Sequence, residues 1–292
     1  MKLVAFDAFR VGAVEGDQVI DLSSLVPVPY GGTPYAMNAF IERIAEVGES
    51  TIRSAAGKGE GLPLSSVHLL PPVPRPGQLL AAPLNYRRHI NEMASSKHVP
   101  SGLDREKTAR ELGFFVKASA SIVGPADVIE LPNLPGREFH HECELGVVIG
   151  RTARAVTREA ALGHVFGYTC LIDVTMRMAP GFEEERAMRK SYHSFTPIGP
   201  HIVTADEIPD PTDLAIRLWV NDELRQQSST ANLIVDVAEL IHLASAVTTL
   251  HAGDVYATGT PEGVGPIVPG DEVRIEIEGI GAMRIPVRTR RW

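Results

Sequence analysis

The sequence predicts a strand-rich α+β fold, on three observations. Short β-branched and apolar runs recur along most of the 292 residues, helical spacing appears in only a few places, and the strand spacing is too irregular for a β/α barrel. With 44% hydrophobic residues the chain can bury a sizeable core. No internal repeat or low-complexity tract is visible.

The first stretch reads as short strands, KLVAFDAFRVGAVEG and QVIDLS. Thr33 and Pro34 then offer an N-cap and a first helical position for a helix through YAMNAFIERIAEVG, with Met37, Phe40, Ile41, Ile44 and Val47 on one side. Four prolines in LLPPVPRPGQLL, residues 69–80, favour an extended connection. A small N-terminal α/β domain is therefore expected over residues 1–70 and a larger domain over 75–292. Beyond the connection, NYRRHINEMASS has helical spacing, whereas KHVPSGLDREKTARELG is polar and irregular, a candidate flap. Strands are expected in FFVKAS, ADVIELP, CELGVVIG, GYTCLIDV, HIVTA, LAIRLWV, DVYATG, DEVRIEI and AMRIPV. Two helices interrupt them, one opening at Thr157 and one through VDVAELIHLASAV with Asp236 as its cap.

The formal net charge of -8 and the lack of any Lys/Arg run argue against nucleic acid, because phosphate binding needs a clustered basic footprint. A small-molecule partner is expected instead. No stretch nears the roughly 20 apolar residues that span a bilayer, and the first residues lack a basic segment followed by an apolar one. No membrane partner and a cytoplasmic location are the expectations. Cys143 and Cys170, outside any C-x-x-C spacing, read as free buried thiols.

Within EFHHECELGVVIG, residues 138–150, strand alternation puts Glu142, Glu144, Gly146 and Val148 on one face and Cys143, Leu145, Val147 and Ile149 on the other. A bare E-x-E is ordinarily a solvated strand edge. Here LGVVIG, apolar on both faces, points to a central strand. Two carboxylates about 7 Å apart on such a strand need a raised pKa, a basic partner or a bound cation, and Gly146 leaves room for one. Asp173 interrupts a second apolar run, GYTCLIDVTMR; it is either a strand-end cap or a third member of the set. Three carboxylates from two buried strands form an all-oxygen site that suits Mg²⁺, Mn²⁺ or Ca²⁺ better than zinc. His140 and His141 face opposite ways and are left out.

REFHHECELGVVIG, GYTCLIDVTMR, RKSYHSFTPIGP, LWVNDELRQQ, LHAGDVYATGTPEGVGP and GDEVRIEIEGIG, in that order over most of residues 75–287, resemble the fumarylacetoacetate hydrolase superfamily. The resemblance implies a mixed β-sandwich roll with a small N-terminal domain, assembled as a homodimer. It implies that Glu142, Glu144 and Asp173 hold a divalent metal, Mg²⁺ or Mn²⁺, with Ca²⁺ possible. It assigns His89 and Glu92 to the water-activating dyad, whose i, i+3 spacing places both on one helical face where the carboxylate orients the imidazole. Lys190 falls on the family's lysine, and Arg177, Tyr86, Thr260 and Gly259 on substrate contacts; taken alone, either cation is an ordinary surface charge. The T-G-T-P turn is Thr258, Gly259 and Thr260. Pro180 stands where many relatives have a substrate-contacting glutamine, so the loop from Met178 to Arg189 is built differently.

The activity implied is metal-dependent hydrolysis of a C–C bond in a β-diketo or acylpyruvate-type acid, fumarylpyruvate- or fumarylacetoacetate-like, in aromatic or amino-acid catabolism. His89 and Glu92 favour hydrolysis over a decarboxylase or keto-enol isomerase of a related oxo-acid, oxaloacetate- or 2-hydroxyhepta-2,4-dienedioate-like. The other alternative, a catalytically silent metabolite-binding relative, would be expected to lack a metal carboxylate or the lysine, and this chain keeps both.

Overall fold

The computed structural model describes residues 1–57, 59–94, 106–179 and 184–290. Pro180 and most of the candidate flap, residues 97–105, lie outside the described residues.

The GYTCLIDV and CELGVVIG runs form long antiparallel neighbours, Val165–Ile172 and Cys143–Ile149, in the middle of a large mixed sheet. Every residue from Cys143 to Ile149 is buried, as a strand covered on both faces requires. On one side the pair meets Thr196–Thr204, then Lys2–Phe6, Arg10–Glu15, Gln18–Asp21 and Gly61–Pro63; on the other it meets Val255–Ala257, Leu79–Ala81 and Phe115–Val116. Residues 1–70 therefore extend the same sheet, joined through Lys2 opposite Val203 and Leu3 opposite Ile202. A five-stranded sheet, in the order Glu223–Ser229, Ala215–Val220, Glu272–Ile277, Gly281–Thr289 and Ile129–Leu131, completes the strand-rich roll.

Two cores follow from the alternation. Cys143, Leu145, Val147 and Ile149 pack with Ile216, Leu218, Ile275 and Ile285 of the second sheet. Val148 and Leu171, on the opposite face, pack with Met37, Phe40, Ile41 and Ile44 of the Ala36–Val47 helix. The apolar stripe expected of that helix is the one it buries, but its start is not. Thr33 donates its hydroxyl to Tyr30 O at 2.8 Å and accepts from Tyr35 N at 3.3 Å. Thr33 thus closes a turn ahead of the helix, and Tyr35 stands at the N-cap without a side-chain bond.

The proline-rich connection is irregular between its two ends, which pair as strands: Leu69–Leu70 with Lys2–Phe6, and Leu79–Ala81 with Val255–Ala257. Asp236 caps the Val237–Val247 helix by accepting from Glu239 N at 2.9 Å. The described end of the flap is more ordered than its composition implies, since Thr108 and Glu111 form a capping box on the Ala109–Leu112 turn. That T-x-x-E spacing is a sequence signature of a helix start. No helix among the described residues is long and apolar enough to cross a membrane.

Candidate active site

Register builds the site. Cys143 lies opposite Ile172, so the next step of the ladder places Glu142 opposite Asp173, and Asp173 N donates to Glu142 O at 2.9 Å. Glu142 thus sits just ahead of the strand that holds Glu144. All three carboxylates are buried, with one oxygen from each within 4.8 Å of the others. Gly146 does not supply the room for an ion. A Cβ there would stand 2.9 Å from Thr169 Cγ2, so that glycine admits the neighbouring strand.

Four cations surround the trio. Lys190 Nζ lies 2.6 Å from each of Glu142 Oε2, Asp173 Oδ2 and Thr175 Oγ1. Arg177 donates to Glu142 Oε1 at 2.9 Å. Lys117, fully buried, ion-pairs with Asp173 Oδ1 and donates to Phe195 O at 2.8 Å; Arg186 lies nearby on the wall of the same cavity. Burial alone would push the Glu142 carboxyl up, but Lys190 and Arg177 outweigh it and hold the group well below the usual carboxylate range. Among the described residues Glu144 has no such partner. Burial and the neighbouring Asp173 hold its pKa well above that range, and its one donor here is Gly259 N at 2.7 Å.

These residues fit a divalent ion. The donor set is all oxygen, Lys190 already shows that the space between Glu142 and Asp173 takes a cation, and Glu144 lacks the positive charge its burial demands. Glu142, Glu144 and Asp173 are the residues that can hold the metal.

His89 is buried on the Arg87–Ala94 helix, with Nδ1 3.3 Å from Glu92 Oε2. Glu92 Oε1 is pinned in turn by Gly263 N at 3.0 Å. Donation from Nδ1 to a carboxylate leaves Nε2 as the basic nitrogen. The start of this helix is tied down by Asn85, whose amide donates to Val235 O and Thr258 O at 2.9 and 2.8 Å.

The structure brings His89, Lys190, Arg177 and Thr260 onto one cavity with the three carboxylates. The other expected residues stand outside its lining. Glu92 braces His89; Gly259 acts through its backbone on Glu144; Tyr86 is buried, its hydroxyl without a hydrogen-bond partner among the described residues. Gly259 has φ +97, and a Cβ there would approach Asn85 Cβ to 2.8 Å. Strained backbone of this kind costs about 1–3 kcal/mol and overpacking as much again. Gly259→Ala is therefore expected to lower unfolding stability by about 3 kcal/mol, read by urea denaturation; a loss near zero would show that the turn tolerates a side chain.

Lys117 and Gln226 are among the supporting residues not singled out from sequence. Gln226 is fully buried; its Oε1 accepts from Cys143 N and faces His141 Nδ1, both at 3.0 Å, and its Nε2 donates to Thr260 Oγ1 at 2.9 Å. It thereby ties Thr260 to the residue between the two glutamates. Because Gln226 uses the acceptor side of Thr260 Oγ1, the hydroxyl proton is left for a ligand. His141 is held neutral, its pKa pushed down to about 4 by burial.

The profile of the fumarylacetoacetate (FAA) hydrolase C-terminal family matches residues 78–288. A maleylpyruvate hydrolase of Aquipseudomonas alcaligenes is 41% identical over 299 aligned positions, covering 99% of this chain and 100% of the relative. Among solved structures, maleylpyruvate hydrolase from Sphingobium sp. SYK-6, in complex with manganese(II) and pyruvate, superimposes with TM-score 0.84 at 40% identity over the full length of both chains. A 5-carboxymethyl-2-hydroxymuconate delta-isomerase from Mycobacterium smegmatis superimposes with TM-score 0.75 at 32% identity, covering 99% of this chain and 100% of that one. The profile match, the full-length relatives and the ordered acidic site give one conclusion: the chain belongs to the fumarylacetoacetate hydrolase family.

Proposed function

We propose that this chain is a divalent-metal-dependent hydrolase that cleaves a C–C bond in acylpyruvate-type acids, the class to which maleylpyruvate belongs. The observation that carries this reading is the shared cavity. A buried all-oxygen trio and a histidine braced by a carboxylate open onto the same space. When bound, a divalent ion supplies charge stabilisation to a 1,3-dicarbonyl.

The chain's own residues do the rest. His89 Nε2 takes a proton from water, whose oxygen adds to the acyl carbon. Addition places the carbonyl electron pair on oxygen; as the carbonyl re-forms, the carbon–carbon bond breaks, its electron pair passing to the methylene of the departing pyruvate enolate, which takes the proton held by His89. Thr260 donates its free hydroxyl proton to a substrate oxygen, and Lys190 places its ammonium beside the developing negative charge, as oxyanion donors do. Pro83, Leu84 and Met93 form an apolar part of the wall that limits bulk water.

The similarity to the delta-isomerase favours a second reading, keto-enol isomerisation or decarboxylation. The His89–Glu92 brace favours hydrolysis, the reaction that needs an activated water. A product-resolved assay decides. With Mn²⁺ or Mg²⁺, acylpyruvates should yield pyruvate and the free acid in equal amounts, EDTA should stop the reaction and Mn²⁺ restore it. Isomerised or decarboxylated products alone, or turnover indifferent to EDTA, would overturn the proposal. A homodimer, which rests on the family resemblance, and a cytoplasmic location belong to the same proposal; light scattering in solution checks the dimer.

A further inference from the structure

We infer that Arg186 receives the distal carboxylate of the substrate, which makes this site selective for dicarboxylic over monocarboxylic 2-oxo acids. The inference rests on the acylpyruvate reading and adds to it the chemistry of the acyl arm.

Four cationic side chains line the cavity: Arg177, Arg186, Arg189 and Lys190. Three have protein partners. Arg177 is bonded to Glu142, and Lys190 to Glu142 and Asp173. Arg189 donates to Glu184 O at 3.2 Å and Met176 O at 3.3 Å. Arg186 alone, among the described residues that line this cavity, is a cation with neither a carboxylate nor a hydrogen-bond acceptor. Its guanidinium rests on the Phe115 ring, 5.3 Å from the centroid, a contact that fixes the plane and leaves the N–H edge unused. A half-buried guanidinium without an acceptor forgoes the bidentate bonding it is shaped for.

Position supports the assignment. Arg186 and Lys190 bound the short helix Arg186–Lys190, four residues apart and so on one face, and both lie over the same Phe115 ring. Lys190 marks the metal-binding end. Arg186 therefore stands about 6 Å further along the helix, a displacement that matches the far end of a four-carbon acyl arm. Charge agrees: the four lining cations exceed the three carboxylates by one, Lys117 paired with Asp173 adds another, and a divalent ion adds two more positive charges. A dianionic ligand offsets this excess better than a monoanion.

The test uses a matched pair of non-cleavable ligands, 2-oxoadipate and 2-oxohexanoate, which differ in whether a carboxylate or a methyl group ends the chain. Their binding to the Mn²⁺-loaded protein is measured by calorimetry. Wild type should bind the diacid about 30-fold more tightly, as expected for one charge-assisted hydrogen-bonded pair. In Arg186→Gln the ratio should fall to about 3-fold or less with 2-oxohexanoate affinity unchanged, and Arg186→Lys should recover part of it. Unchanged 2-oxohexanoate binding also certifies that the variant is folded. No preference in wild type, whether both ligands bind alike or neither binds, overturns the inference, as does a preference that survives in Arg186→Gln. Failure to hydrolyse acylpyruvates would remove the proposed function without altering this binding ratio, so the two claims fail separately.

Discussion

Glu144→Gln is expected to abolish saturable Mn²⁺ binding and to lower metal-dependent turnover by at least about 10³-fold, on the scale of removing a central electrostatic contact. The substitution keeps volume and the acceptor for Gly259 N, 2.7 Å away, and removes only the charge. That charge is the poorly compensated one. Burial and Asp173 hold the Glu144 pKa well above the usual range, whereas Glu142 is already matched by Lys190 and Arg177.

A thermodynamic signature accompanies the lost activity. An acid whose folded-state pKa is raised binds more protons folded than unfolded, so metal-free wild type loses stability as pH rises above the unfolded value. Glu144→Gln removes that loss. At neutral pH the metal-free variant should melt higher than metal-free wild type, and adding Mn²⁺ should reverse the order by stabilising wild type alone. Wild-type Mn²⁺ affinity should also rise with pH, since metal and proton compete for the same carboxylate. Retained Mn²⁺-dependent stabilisation in the variant would remove Glu144 from the ligand set.

The metal trio was legible because a carboxylate inside an apolar run contradicts its surroundings, and an i, i+2 pair has a fixed common face. By its own run Asp173 stays open between a strand-end cap and a third ligand; the resemblance places it in the set, and register brings it opposite Glu142. Lys117 was not legible. In FFVKAS a lone lysine reads as an exposed strand residue, and its burial depends on Asp173, 56 positions away. Gln226 was hidden for a local reason: the Ala215–Val220 and Glu223–Ser229 pairing shifts register between Leu218 and Trp219, so counting alternation from the turn misplaces its face. Arg186 escaped because the Met178–Arg189 loop was read only as a departure from relatives. The Thr33 cap failed where a competing turn with Tyr30 took the hydroxyl, a choice local spacing does not decide.

His89→Ala should lower kcat for hydrolysis by about 10²–10⁴-fold, the range of a lost general base, while Mn²⁺ affinity stays within about 3-fold of wild type. His89 contributes no oxygen to the trio, and in the proposed mechanism it acts on water. Its ring is held by Glu92, and Glu92 by Gly263 N at 3.0 Å. Although burial raises the Glu92 pKa, the hydrogen bonds from His89 and Gly263 outweigh it and hold the group below the usual range, so the brace stays an anion while the imidazole works. Glu92→Gln should accordingly cost less than His89→Ala, because an amide oxygen still accepts from Nδ1 but gives no charge to the imidazolium formed in the reaction. Were the reaction decarboxylation, which consumes no activated water, His89→Ala should cost far less. A loss of 2-oxoadipate affinity as large as the loss of turnover, with metal binding intact, would show that His89 positions the substrate and that some other group activates the water.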